Sequence, residues 1–362
     1  MNQPKRILIC PLDWGLGHAT RCIPIIRLLL NKNAEVIIAA DGRSLELLKK
    51  EFPQLQFIPF KGYEINYSKS ERMVLKILFS VPKILKRIKQ EHKELNTIID
   101  QYKIDVVISD NRYGCWNKKV KSIFMTHQLM IKAPFGEKLL HYKILKYINN
   151  YDECWIPDNE EINNLSSDLA HKYTLPENAF FVGPLSRFLN QENDFSHTFE
   201  IVEKYDIMAI ISGPEPQRTI FEKIITEQIS TTKLKALIVL GLPDKKTTIQ
   251  ENENLKIISH LNSKDMQTAI SNSKIILSRS GYSTIMDLAM LGKRAVFVPT
   301  PGQTEQEYLS KLFMKKQIAY SQTQSHFNLL DALKESENYS GFLNLNSARL
   351  LEQRVEAILF SK

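Results

Sequence analysis

Short continuous apolar runs alternate along this chain with longer stretches whose apolar residues recur every three or four positions. The first kind reads as strands buried on both faces, the second as helices packed over them. RILICP (6–11) precedes the helical RCIPIIRLLLNK (21–32), and AEVIIAA (34–40) precedes RSLELLKKEF (43–52). LQFIPF (55–60), a long helical region, IDVVISD (104–110), SIFMT (122–126) and ECWIP (153–157) continue the pattern. It pauses at FFVGPLSR (180–187) and the polar NQENDFSHTFE (190–200). It then restarts with DIMAIIS (206–212), KALIVLG (235–241), LKIIS (255–259), KIILS (274–278) and RAVFVP (294–299), each separated from the next by a loop or helix. A last helical segment carries Leu350, Leu351, Val355 and Ile358 on one stripe.

Two successive halves of this kind predict an α/β protein built from two doubly wound, Rossmann-like domains facing a cleft. The expected divisions are 1–185, 186–345 and a closing helix at 346–362 that is free to cross back to the first half. A length of 362 residues also argues against one core. In such sheets ligands bind beyond the carboxyl ends of the strands, so the residues just after each strand carry the chemistry.

The loop after the first strand, PLDWGLGHATR (11–21), holds Asp13, Gly15, Gly17, His18 and Arg21. Two glycines allow close backbone approach and the helix that follows favours an anion. As a dinucleotide fingerprint it fits poorly, because Thr20 stands where a third small residue belongs. Asp110, Asn111 and Arg112 follow the IDVVIS strand, and His127 follows SIFMT. An Asp110–His18 pair would make a base assembly, the carboxylate fixing the imidazole tautomer. The plainer alternative for Asp110, Asn111 and His18 is helix or turn capping. Arg21 contacts either a phosphate or a nearby carboxylate.

In the second half, Ser212, Gly213 and the helix start at 217–219 form a candidate diphosphate cradle with Arg218 as counter-charge. RSGYSTIMD (279–287) is a tight loop running into a helix. Thr284 and Asp287 fit either a capping box or, for Asp287, a carboxylate for a ribose diol.

Charge changes the picture in one place. The formal net charge is +8, and residues 1–185 carry 27 Lys and Arg against 20 Asp and Glu. Within that half, residues 69–93 hold eight Lys and Arg against two Glu on a helical apolar pattern. This stretch either docks on an anionic membrane or packs its stripe on the sheet while the lysines face water. No aromatic–basic motif points to nucleic acid. The four cysteines are scattered and no Asp-x-Asp occurs, so neither a metal nor a disulfide framework is expected. No apolar run approaches the ~18 residues of a membrane span. A cytoplasmic setting, at most peripheral to the membrane, is the expectation.

The order strand–RSG–x–Ser-Thr–x–x–Asp–helix–Gly–strand–Pro-x-Pro–Gln, with a GLGH loop after strand one, resembles glycosyltransferase family 28. The resemblance spans both halves, and its sharp matches lie at 13–21, 212–219 and 279–306. It implies the GT-B fold, a nucleotide-diphosphate sugar (a UDP-sugar) held by the C-terminal domain and an acceptor held by the N-terminal domain. It implies no cofactor and inversion at the anomeric carbon; the acceptor is left unidentified, a lipid-linked or cell-envelope one being the candidate. By this resemblance Arg279, Ser280 and Gly281 line the donor pocket, Thr284 faces the phosphates, Asp287 stands for the ribose-binding acid, and Gln303 and Gln306 contact the sugar. His18 becomes the base, supported by Asp110, with Asp13, Arg21, Asn111, Arg112 and His127 on the acceptor side. The rival readings are a sugar-nucleotide epimerase or hydrolase of the same fold, and a non-catalytic sugar-nucleotide-binding protein.

Overall fold

The structure, a computed structural model, describes residues 3–63, 73–132, 136–161, 163–189, 204–245, 249–345 and 348–360, with the side chains of 73–80 and 249–250 left aside. The polar stretch at 190–200 and the start of the basic stretch, 69–72, lie outside the described residues.

The N-terminal sheet is formed by β1 (Arg6–Pro11), β2 (Glu35–Ala40), β3 (Gln56–Pro59), β4 (Val106–Asp110), β5 (Lys121–Met125), β6 (Glu153–Ile156) and β7 (Ala179–Phe181). All are parallel, in the order β3-β2-β1-β4-β5-β6-β7. Its helices are α1 (Leu16–Asn31), α2 (Gly42–Glu51), α3 (Met73–Tyr102), α4 (Glu137–Ile148) and the single turn α5 (Asp168–His171). The strands read as uniformly apolar because both faces are covered. Ile7 and Ile9 enter the core shared with α1, while Leu8 and Cys10 meet Leu95 and Ile99 of α3.

The second sheet holds β8 (Tyr205–Ile210), β9 (Ala236–Val239), β10 (Ile249–Glu251), β11 (Leu255–Ile258), β12 (Ser273–Ser278), β13 (Ala295–Phe297) and β14 (Tyr320–Ser321). Its order is β10-β11-β9-β8-β12-β13-β14, parallel except for the antiparallel edge strand β10. Its helices are α6 (Gln217–Ser230), α7 (Ser263–Ser271), α8 (Tyr282–Met290), α9 (Thr304–Lys315) and α10 (Leu329–Ser336). The closing helix α11 (Arg349–Phe360) packs back on the first domain. Leu351, Val355 and Ile358 join the core of β1 and α1, and Lys5 Nζ donates to the Ile358 carbonyl at 2.9 Å. This is the two-domain GT-B architecture.

Strand order decides which loops meet. Neighbouring strands whose connections leave in opposite directions open a crevice at their carboxyl ends. In the first sheet that pair is β1 and β4, with Pro11 opposite Asp110. In the second it is β8 and β12, with Ile210 opposite Ser278. Polar contacts join the two domains. Glu51 at the end of α2 accepts from Ser263 N (2.6 Å) and Oγ (2.8 Å) at the start of α7. Arg43 reaches Glu215 at 3.6 Å and Asp244 at 3.5 Å.

Candidate active site

The β1–β4 crevice gathers a buried charge cluster. The Arg21 guanidinium donates from Nε to Asp110 Oδ2 at 2.7 Å and from Nη2 to Asp110 Oδ1, a bidentate pair. His18 Nδ1 lies 3.1 Å from Asp110 Oδ2 and 2.8 Å from Arg21 Nη2. Arg21 Nη1 meets His127 Nδ1 at 2.7 Å, and His127 Nε2 meets Glu305 Oε1 at 3.0 Å. Glu305 belongs to α9, so the chain His18–Asp110–Arg21–His127–Glu305 crosses from one domain to the other. An Arg N–H can only donate, so His127 accepts at Nδ1 and carries its proton at Nε2, facing the Glu305 carboxylate. The His127 ring also stacks on Tyr282 of α8, with centroids 4.3 Å apart and planes 4° apart.

Protonation states follow from this packing. Burial pushes the His18 imidazole below its ordinary 6.5; Asp110 opposes this and Arg21 adds to it. Burial alone would raise the Asp110 carboxyl, but Arg21 and His18 outweigh it and hold the group below 3.8. Both shifts act in one direction on stability. Each contribution is complete above the group's unfolded value and is lost as pH falls through the lower folded value.

The opposite wall is the start of α8. Its N-cap is Gly281, no side chain among the described residues caps it, and its first turn has no acid. Ser283 Oγ donates to the Gly17 carbonyl at 2.8 Å, joining the first turns of α8 and α1. A Cβ on Gly17 would stand 2.9 Å from that hydroxyl, so a larger residue there would push the Ser283 side chain out of this contact. Around α8, Ser280 Oγ donates to the Gln306 carbonyl (2.8 Å) and Gln306 Oε1 accepts from Thr300 N (2.8 Å). Thr300 Oγ1 and Gln303 Oε1 are buried with no partner among the described residues. Thr300 Oγ1 borders Gly213, which has a φ of +114°. Buried polar groups left unpaired are uncommon and suit a polar ligand.

The C-terminal domain model of glycosyltransferase family 28 matches residues 213–358, and a glycosyl transferase family 1 model matches 5–125. An uncharacterized glycosyltransferase of Methanosarcina acetivorans is 24% identical over 327 residues, covering 83% of this chain and 81% of that protein. The UDP-N-acetylglucosamine–N-acetylmuramyl-(pentapeptide) pyrophosphoryl-undecaprenol N-acetylglucosamine transferase of Thermoanaerobacter sp. is 21% identical, covering 84% and 82%. Among solved structures, the glycosyltransferase of kitacinnamycin superposes with a TM-score of 0.65 at 13% identity, covering 99% of this chain and all of that one.

The chain is a glycosyltransferase of the GT-B type, similar to family 28 over its C-terminal part.

Several residues of this glycosyltransferase sit elsewhere than the sequence suggested. Arg218 is not an open counter-charge. Its guanidinium pairs with Glu215 (2.6 Å) and Glu222 (2.7 Å), and Glu215 also takes Thr219 N (3.3 Å) and Oγ1 (2.8 Å). The start of α6 is thus filled by the protein's own carboxylate. Arg279 is fully buried, stacked 4.0 Å over Phe221, and donates to the carbonyls of Val298, Pro299 and Gln217 and to Gln324 Oε1. Burial without a carboxylate partner lowers it to about 9. It braces the cradle from behind. Asp287 forms no capping box, because α8 begins at Tyr282 and puts it mid-helix. Its Oδ1 accepts from Ser186 Oγ (2.7 Å) and its Oδ2 from Arg187 Nε (2.8 Å), so both oxygens serve the interdomain segment instead of a ribose.

On the acceptor side, Arg112 is buried against Glu91 (2.7 Å), away from the cleft cluster. Asp13 accepts from Ser44 N (3.2 Å) at the start of α2, and burial raises its carboxyl. Asn111 holds a left-handed φ of 55°, its Oδ1 buried without a partner among the described residues. Arg21 answers the phosphate-or-carboxylate question with the carboxylate. Glu305, Tyr282 and Thr300 were missed. Glu305 and Thr300 follow β13, so the strand-exit rule covered them, although Gln303 and Gln306 beside them were named only through the family resemblance.

Proposed function

We propose that this glycosyltransferase inverts the anomeric centre of a nucleotide-diphosphate sugar, with a UDP-sugar as the first donor to test, and that His18 is its base. The observation that carries this reading is the pair His18–Asp110 facing the uncapped start of α8 across the Gly17–Ser283 contact. His18 Nδ1 faces both the Asp110 carboxylate (3.1 Å) and Arg21 Nη2 (2.8 Å), and the proposal takes the tautomer in which Arg21 Nη2 spends its hydrogens on Asp110 and Nδ1–H donates to Asp110, leaving Nε2 to accept the proton of an acceptor hydroxyl. Arg21 supports this state in two ways. It keeps Asp110 ionised, and it disfavours the imidazolium that would block the base. Protonation during the reaction is stabilised by Asp110, which stays charged throughout.

The hydroxyl attacks the anomeric carbon from the His18 side as the bond to the diphosphate breaks, so configuration inverts. The negative charge gathering on the leaving diphosphate is met by the amides and dipole of α8, with Ser280, Thr284, Thr300 and Ser212–Gly213 around it. Gly15 and Gly17 leave room for the sugar, while Gln303 and Glu305 supply polar contacts at its edge. The Thermoanaerobacter relative, named for transfer to a pyrophosphoryl-undecaprenol acceptor, makes a polyprenyl-linked sugar the first acceptor class to test. Among the described residues no helix is long and apolar enough to cross a membrane. Contact with a lipid acceptor would therefore be peripheral, through α3, where Val81 and Leu85 are exposed between lysines.

The test is turnover of UDP-sugars with and without polyprenyl-linked acceptors, with product configuration read by NMR. An inverted glycoside that disappears in His18→Ala supports the reading. A retained configuration contradicts inversion. Free sugar formed equally with and without acceptor points to the hydrolase alternative.

A further inference from the structure

Two helices carry the facing groups of the cleft, α1 with His18 near its start and α8 with its open first turn. Apolar packing joins them. Ile23 and Ile26 of α1 and Ile285, Met286 and Ala289 of α8 belong to one buried cluster. Such contacts are non-directional, so they set a separation but oppose sliding and rotation only weakly. Directional contacts must fix the register. One lies at the helix starts, where Ser283 Oγ donates to the Gly17 carbonyl. A single such contact between two rods acts as a pivot.

A second tie lies deeper along both helices. Asp287 of α8 accepts at Oδ1 from Ser186 Oγ (2.7 Å) and Arg187 N (3.2 Å), and at Oδ2 from Arg187 Nε (2.8 Å). The Arg187 carbonyl in turn accepts from Arg27 Nη1 of α1 at 2.5 Å. Arg27 Nη2 pairs with Glu51 Oε2 of α2 at 3.4 Å, and the other Glu51 oxygen takes Ser263 at the start of α7. Two guanidiniums and two carboxylates meet here, all largely buried, and each cation has its own acid. At a rise of about 1.5 Å per residue, Asp287 stands about 7 Å along α8 from Tyr282, and Arg27 about 16 Å along α1 from Leu16. Two directional ties at different depths fix an angle as well as a distance.

We propose that Asp287 is a positioning residue for the transfer reaction. Through Ser186, Arg187 and Arg27 it holds α8 in register with α1, so that the diphosphate end of the donor stays aligned with the base. This rests on the reading that the diphosphate sits at α8 opposite His18. A misplacement of about 1 Å between reacting groups costs about a hundredfold in rate. Binding of a diphosphate by the first turn of α8 does not need α1. Asp287 therefore acts on turnover, whereas a carboxylate that held a ribose diol would act on donor affinity.

Spin labels on Lys119→Cys and Lys223→Cys, at exposed positions of the first and second domains, read the interdomain distance in the full chain, the four native cysteines being buried. The parent distance distribution should be narrow. Asp287→Ala should broaden it, Arg27→Gln should do the same, and the double variant should be no broader than the wider single, because both changes cut one tie. With UDP-N-acetylglucosamine and a polyprenyl-linked acceptor, kcat of Asp287→Ala should fall by about tenfold to a hundredfold. UDP affinity and the preference for UDP over 2′-deoxy-UDP should stay as in the parent. Ser186→Ala, a milder cut that keeps the Asp287–Arg187 pair, should show smaller changes in the same direction, and it serves where Asp287→Ala does not fold. His18→Ala should lose turnover with the distribution still narrow, so failure of the base assignment and failure of the tie give different patterns. A distribution as narrow in Asp287→Ala as in the parent, additive broadening in the double variant, or a loss of UDP affinity with kcat kept would overturn the role.

Discussion

The second domain contains two strand–loop–helix units side by side at its crevice, β8–α6 and β12–α8, and they are finished differently. At α6 the protein supplies its own anion. Glu215 occupies the helix start, and Arg218 is neutralised by Glu215 and Glu222. At α8 no side chain caps the first turn, and Thr300 Oγ1 and Gln303 Oε1 nearby lack partners among the described residues. A helix start is an anion site only when nothing internal fills it. The comparison is why we propose α8, opposite His18, as the diphosphate site and α6 as scaffold.

The largest expected effect concerns what faces α8. His18→Ala should lower turnover by about 10²–10⁴-fold, the usual contribution of a general base, while donor affinity measured by titration changes little. Near-normal turnover would remove His18 from the role.

Next comes the open helix itself. Thr284→Glu gives α8 the internal acid that α6 already has, and should weaken UDP binding by about tenfold to a hundredfold through like-charge repulsion. Thermal melting should show the fold kept.

A smaller effect tests the cluster behind the base. The acid limb of kcat/KM should fall below pH 6.5, since burial and Arg21 hold the imidazole under that value. Arg21→Gln removes a cation 2.8 Å from Nδ1 and should move that limb upward. A limb that moves down, or stays in place, would contradict the role given to Arg21. The smallest effect belongs to α6. Arg218→Ala should leave UDP affinity almost unchanged and lower stability, seen in thermal melting, because Glu215 and Glu222 lose their shared partner.

Much of this was legible in the sequence, for a physical reason. Strands covered on both faces must be continuously apolar, so the two domains and their strand ends could be read directly. The strand-exit loops then named His18, Asp110 and His127, and the family resemblance added Ser280 and Gln306. Sequence order says nothing of lateral order in the sheet, however. Only the adjacency of β1 and β4 brings Asp110 beside His18.

Partner choice was the part that could not be read. Arg112, Arg218 and Asp287 look like site charges because they follow strands or match a motif. Each is instead taken up by an internal partner that lies far away in sequence or one helical turn away. Arg279 shows the same limit without any ion pair, its Nη1 and Nη2 being used by backbone carbonyls and Gln324 Oε1. The basic helix packs only part of its apolar stripe on the domain. Ile88 is buried in the domain, while Val81 and Leu85 face outward.

The most direct test of the central claim is calorimetric titration of UDP into Thr284→Glu and Arg218→Ala under one set of conditions. The account predicts that the α8 variant loses affinity and the α6 variant keeps it. Loss in Arg218→Ala with full affinity in Thr284→Glu would put the diphosphate at α6 and contradict the account.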